Sequence, residues 1–272
     1  MIAIVLFKAA LAVYLVSAAV YIASLLGRRV LLARFATGLM LAALVIHTFS
    51  FAAWWLTAGE GPVMGLLETL SFFAWVMAIA YLALQLKTKT RVLGAFISPV
   101  ICLFMVVASV GLGGTVMAPA MLRGTLVTFH VILSVAGEAL FAVASCAGLM
   151  YLFQDGLLRK KKAGGFSRLL PSLGDLDRIN HLCLLWGFPL LTLGGLIGSI
   201  WARIVWGSHW QWDPKQIWTL LAWGFYAFLL HQRLVIGWRG RTAARWSIAA
   251  FVILLVLLMV GRPFFQTFHD FL

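Results

Sequence analysis

Residues 206–218 read WGSHWQWDPKQIW, set between apolar runs at 179–204 and 215–237. Four tryptophans, Trp206, Trp210, Trp212 and Trp218, fall within this segment beside one histidine, one acid and an Asp-Pro-Lys turn. A connection this short between two runs long enough to cross a bilayer is a loop at a membrane surface. The loop offers flat, rigid, apolar faces with N–H handles, a surface suited to a large planar ligand. The structural alternative is an aromatic belt at headgroup level, with Asp213 as N-cap and Pro214 at the first helical position.

Outward from the loop, the whole chain has the composition of a bilayer protein. Of its 272 residues 63% are hydrophobic and 11% charged, which excludes an ordinary soluble domain. Eight apolar stretches reach spanning length, near residues 2–26, 35–57, 63–86, 92–112, 125–153, 179–204, 215–237 and 246–264. Each is expected to be a helix, because in lipid the backbone must satisfy its own hydrogen bonds. The expected fold class is all-α: a polytopic bundle of about eight transmembrane helices forming one integral membrane domain, residues 1–272. The longest polar stretch, residues 155–180, separates five helices from three.

Sixteen of the 21 Lys and Arg residues fall in alternate loops, around Arg28, Lys87, Arg159–Lys162 and Arg233–Arg245. The positive-inside rule assigns those loops to the cytoplasm, and puts the tryptophan loop and both termini on the outer, periplasmic side. The net charge of +13 is thus a topology signal rather than a nucleic-acid footprint. The first apolar run is too long for a signal peptide and lacks a cleavage site, so it reads as a retained span. Cys102, Cys146 and Cys183 lie singly in apolar segments, with no paired spacing for redox or metal chemistry.

Four histidines pair by depth. His130 lies 25 residues before Asp155, roughly 37 Å above the inner boundary at about 1.5 Å per residue. His269 lies 24 residues after Arg245, roughly 36 Å up, so the two reach the level of the tryptophan loop. His47 and His231 stand roughly 20 and 12 Å up, a second and less even pair. Zinc wants four ligands, and no cysteine or carboxylate cluster joins either pair. Haem iron takes two axial ligands, for which histidine is a standard choice.

The pattern WG-x-x-W-x-W-D-P-K, with GFPLLTLGGLIGSIWARIVWG before it and LLAWGFYAFLLHQR after it, resembles the haem-handling motif of the CcsA (ResC) family. Residues 176–231 carry the resemblance most strongly. A second family segment, P-x-x-N-x-Y-E-S-L, is matched by Pro62, Glu68 and Leu70, with Thr69 close; Gly65 and Leu67 depart from it, as Gln216 departs from the family glutamate. His209 inherits no role.

The resemblance implies a component of system II cytochrome c assembly in the bacterial inner membrane. Haem b would be received through His47 and His231. It would then be presented on the outer platform of Trp206, Gly207, Trp210, Trp212, Asp213 and Trp218, with His130 and His269 as axial ligands. The haem vinyl groups would react there with the thiols of a C-x-x-C-H apocytochrome c, the chain acting as the haem-presenting part of a synthase with no general acid or nucleophile of its own. A CcsB (ResB)-like membrane protein with a large outer domain is the partner expected in trans. The alternative is a HemX-like haem-binding transporter or regulator without synthase activity.

Overall fold

The computed structural model describes residues 1–58, 66–87, 90–111, 124–160 and 170–264. His269, residues 59–65 with Pro62 and Gly65, and residues 161–169 of the polar stretch lie outside them. The described residues are helical throughout, with no strand among them. The order is α1 (Ile2–Gly27), α2 (Val30–Ala58), α3 (Leu66–Lys87), a 3₁₀ turn (Arg91–Leu93), α4 (Gly94–Ser109), α5 (Thr125–Arg159), α6 (Leu173–Trp206), α7 (Pro214–Leu234) and α8 (Gly240–Phe264). Seven of these eight helices are long and apolar enough to cross a membrane; α7, with Lys215, Gln216, Gln232 and Arg233 near its ends, is the exception. The chain is a multi-pass membrane protein.

Apolar runs mark where lipid begins, not where a helix stops, so several helices outrun them. α6 starts at Leu173 rather than near 179, because Ser172 caps it: the Ser172 hydroxyl accepts from the Asp175 N–H at 3.1 Å and donates to the Asp175 carboxylate at 2.7 Å. α5 runs on to Arg159, where Asp155 meets Arg159 at 3.4 Å and also bonds Arg241 of α8. Helix thus enters the polar stretch from both sides.

The packing falls into two groups. α1 lies antiparallel on α2, pinned by the Ser17 hydroxyl to the Ala36 carbonyl at 2.9 Å and, near the other end, Ser50 to the Ala3 carbonyl at 2.8 Å. α3 and α4 complete this group; the Tyr81 hydroxyl lies within hydrogen-bond reach of the Tyr21 hydroxyl and the Arg91 carbonyl, its one proton shared between them, tying α1, α3 and the 3₁₀ turn together.

In the second group α5 and α6 make the most extensive contact in the molecule, with α8 along the end of α5. Lipid tails are as apolar as leucine, so helices in a bilayer associate through close backbone approach. The α5–α6 seam shows this: a Cβ on Gly137 would stand 2.7 Å from the Gly187 carbonyl, and one on Gly194 2.8 Å from the Ser134 nitrogen. α3 joins the two groups by packing on α5, while α7 rests lightly on α6 and α8.

Candidate functional site

The tryptophan loop proper is residues 207–213, since Trp206 closes α6 and Pro214 opens α7. Gly207 ends α6 in the left-handed conformation (φ 77°), which glycine adopts without steric cost, and its N–H reaches the Arg203 carbonyl at 2.9 Å. The chain then doubles back along α6. His209 is held at both ring nitrogens: Arg203 donates to Nε2 at 3.0 Å, and Nδ1 donates to the Ser199 carbonyl at 3.2 Å. The Ser199 hydroxyl returns a bond to the His209 carbonyl at 3.2 Å. His209 is therefore a neutral anchor that brings the loop back to the level of Ser199.

Gln216 does similar work from the other side. Its Oε1 accepts the Gln211 N–H at 2.9 Å, and its Nε2 donates to Gln211 Oε1 at 3.2 Å. This fixes the loop against the first turn of α7, where Asp213 is the N-cap residue and is buried. Within the loop Trp210 and Trp212 stand edge to face at 5.8 Å, and Trp206 meets Trp201 the same way at 5.0 Å. Trp212 is 76% exposed and holds a left-handed backbone (φ 56°), costly for a residue with a side chain. The Trp210 indole N–H is buried with no hydrogen-bond partner among the described residues. Trp218 sits half-buried one turn into α7.

His130 lies in the second turn of α5 at the same depth. Its Nδ1 is 2.7 Å from the Gly194 carbonyl and packs over Gly198, where a Cβ would come within 2.5 Å of that nitrogen. A carbonyl only accepts, so Nδ1 carries the proton and Nε2 keeps its lone pair. This is the arrangement of a metal-ligating histidine, whose second nitrogen donates to a fixed acceptor. Gly198 precedes Ser199, the residue that holds His209, so α6 places His130 on one of its faces and the loop on the next.

His47 is fully buried midway along α2. Its Nε2 bonds the Ser71 hydroxyl of α3 at 2.9 Å, Phe51 stacks on the ring at 4.6 Å, and Phe7 and Tyr14 of α1 meet it edge-on. Its Nδ1 has no partner among the described residues. Beside it, Phe7, Phe51, Trp54, Glu68 and Ser71 line a small apolar recess of about 60 Å³. His231 is exposed in the last turn of α7. The two belong to different packing groups and to different depths: His47 is 17 residues into α2 from the basic end, roughly 25 Å, and His231 three residues from the end of α7, roughly 5 Å.

The sequence points to the histidines and tryptophans but gives no sign of Ser71 or the Gln211–Gln216 pair, which are ordinary polar residues. Gly194 and Gly198, with Gly195 between them, carry a signal in the sequence, but of close helix packing only.

Residues 63–269 match the model of the cytochrome C assembly protein family. The chain belongs to that family. Among its relatives are the cytochrome c biogenesis proteins CcsA of Prochlorococcus marinus (32% identical, over 79% of this chain and 77% of the relative) and Gloeobacter violaceus (27%, over 98% and 95%). The CcsA resemblance carried by the tryptophan motif is thereby borne out. The fold is also that of a solved structure, the cytochrome c heme lyase CcmF, at a TM-score of 0.70 with 14% identity. That match covers 98% of this chain and 47% of the lyase, so the family fold here stands for just under half of the larger protein.

Proposed function

We propose that this protein holds haem b for covalent attachment to apocytochrome c, as the haem-presenting subunit of a system II synthase. The observation that carries the reading is His130: its proton is fixed on Nδ1 by the Gly194 carbonyl, its Nε2 is left for iron, and it stands at the depth of the tryptophan loop. The family's place in cytochrome c assembly supports it.

The residues fit the ligand. His130 supplies one axial nitrogen, and His269 is proposed as the second. The exposed face of Trp212, with Trp206, Trp210 and Trp218, supports the macrocycle. An acceptor on the ligand satisfies the Trp210 N–H, while Gly207 and Asp213 set the ends of the loop. Haem supplies the reactive vinyl carbons. Each cysteine S–H of the C-x-x-C-H client adds across one vinyl group, the sulfur to one carbon and the proton to the other, with no leaving group and no oxidant. The protein's part is orientation and exclusion of competing geometries.

His47 and His231 are proposed as the second, inner pair. To share one iron they would have to close an offset of roughly 20 Å in depth as well as the gap between their packing groups. The loop faces the periplasm of a bacterial inner membrane, and a CcsB (ResB)-like partner supplies the outer domain that receives the client.

The test is an absorption spectrum of the detergent-purified protein, oxidised and dithionite-reduced, beside His130→Ala and His269→Ala. Sharp reduced bands that weaken or shift in both variants are expected. A haem-free preparation from haem-replete cells sinks the reading. Intact haem bands with no thioether product on co-expression with a CcsB-like partner would favour the HemX-like transporter or regulator.

A further inference from the structure

At the end of the molecule opposite the tryptophan loop, α6, α7 and the α7–α8 turn enclose a cavity of about 320 Å³, lined by Asp177, Arg178, His181, Arg233, Leu234 and Arg239. Arg233 is buried and makes four polar contacts inside the protein. Its Nε gives to His181 Nδ1 at 3.1 Å, Nη1 to Asn180 at 3.0 Å, and Nη2 to the Asp177 carbonyl at 2.8 Å and carboxylate at 2.9 Å. Asp177 Oδ1 also accepts the Gly240 N–H at 2.9 Å, so the one acid lining the cavity is already paired with Arg233.

Two consequences follow for the cavity itself. His181 accepts at Nδ1, so in its neutral form the proton sits on Nε2, which makes the ring a donor. Arg178 and Arg239 are exposed, face the same cavity from different elements, and have no hydrogen bond or ion pair among the described residues. The cavity therefore presents two guanidinium groups, unpaired among the described residues, and an N–H donor. Guanidinium is the group best matched to carboxylate and phosphate oxygens. His231 is in the same last turn of α7 as Leu234, three residues before it; it is exposed, and its ring makes no hydrogen bond among the described residues.

We propose that this cavity is a landing site for the two carboxylates of haem at the basic end of the bundle, with His231 above it to meet the iron. The proposal rests on the haem-handling function argued above. It gives His231 a role at its own depth, before any sharing of iron with His47.

The experiment is a titration of the purified, haem-stripped full chain with haemin and with haemin dimethyl ester, followed in the Soret region. The double variant Arg178→Ala/Arg239→Ala is compared with wild type and with Arg178→Lys/Arg239→Lys, each also carrying His130→Ala so that haem on the outer loop does not mask the cavity. Both positions are exposed and unpaired among the described residues, so an unchanged melting temperature is expected and checks the fold. Haemin should bind the alanine variant about tenfold or more weakly than wild type, a loss of about 1.4 kcal/mol or more. The lysine variant should keep most of the affinity, and the ester should bind all three proteins equally weakly. Equal haemin affinity in wild type and alanine variant overturns the proposal and leaves the haem function standing. In that case inorganic phosphate, or phosphatidylglycerol vesicles, held by wild type alone would assign the cavity to another anion. If wild type with His130 intact binds neither haemin nor its ester, the haem reading falls and takes the proposal with it.

Discussion

At the scale of single residues, the site is set by where protons and missing side chains lie. His130 presents Nε2 only because Gly194 offers a carbonyl and Gly198 has no Cβ. Gly198→Ala therefore displaces the imidazole, and the haem bands assigned to His130 should weaken as in His130→Ala; a wild-type spectrum in Gly198→Ala would contradict this account of the tautomer. Gln216 stands where the family usually has glutamate, and the structure shows how the loop uses it. Gln216→Glu keeps an acceptor for the Gln211 N–H and should leave the thermal midpoint near that of wild type. Gln216→Ala loses both bonds and should cost about 1–2 kcal/mol, from about 1 kcal/mol per hydrogen bond. Equal midpoints for all three proteins would show that the pair does not hold the loop.

Among elements, α7 is the one whose packing decides behaviour. It carries two proposed ligands of function, Trp218 near its start and His231 near its end, yet packs only lightly on α6 and α8. Its attachment is part aromatic, Trp223 meeting Phe188 of α6 and Tyr226 stacking on Phe141 of α5, and part polar, Arg233 joining it to Asp177, Asn180 and His181 of α6. Removing one partner of a buried ion pair leaves the other uncompensated, so Arg233→Met should lower stability by about 3–5 kcal/mol. Arg233→Met with Asp177→Leu should recover part of that loss, read as thermal midpoints in detergent. A single variant that melts like wild type would refute the hub. Amide exchange should be faster along α7 than along α5 and α6, whose backbones touch at Gly137, Gly187 and Gly194.

For the whole molecule, helix alternation places the tryptophan loop at one end and the α1–α2 and α7–α8 turns at the other. The basic turns are expected in the cytoplasm. The three native cysteines are buried, so reporter cysteines read cleanly. In intact cells an impermeant maleimide should label Ser208→Cys and spare Arg29→Cys; the reverse pattern would invert the orientation and the proposed side of haem attachment.

How much of this was legible beforehand differs with the physics behind each feature. Helix number and order were legible from apolar run length, because the bilayer demands a fixed thickness and an internally bonded backbone whatever the neighbours are. The same logic failed at helix ends such as Leu173 and Arg159, where caps and ion pairs extend helix beyond the apolar run. The family could be read from residues 206–218, since that pattern is local and dense. Pairing by depth put His130 at the level of the loop. It gives His47 and His231 uneven heights but not their separate packing groups, because helix rise gives height and not neighbours.

The amino-acid order by itself determined the solvent, the helices and the residue types gathered at the loop, all consequences of composition and short-range pattern. Tertiary packing alone decided that His130 meets Gly194, that His47 meets Ser71, and that Arg233 closes α7 onto α6. Each of those contacts joins residues from different helices, and the azimuth at which two helices face each other is set by close approach of backbones, which no single stretch encodes.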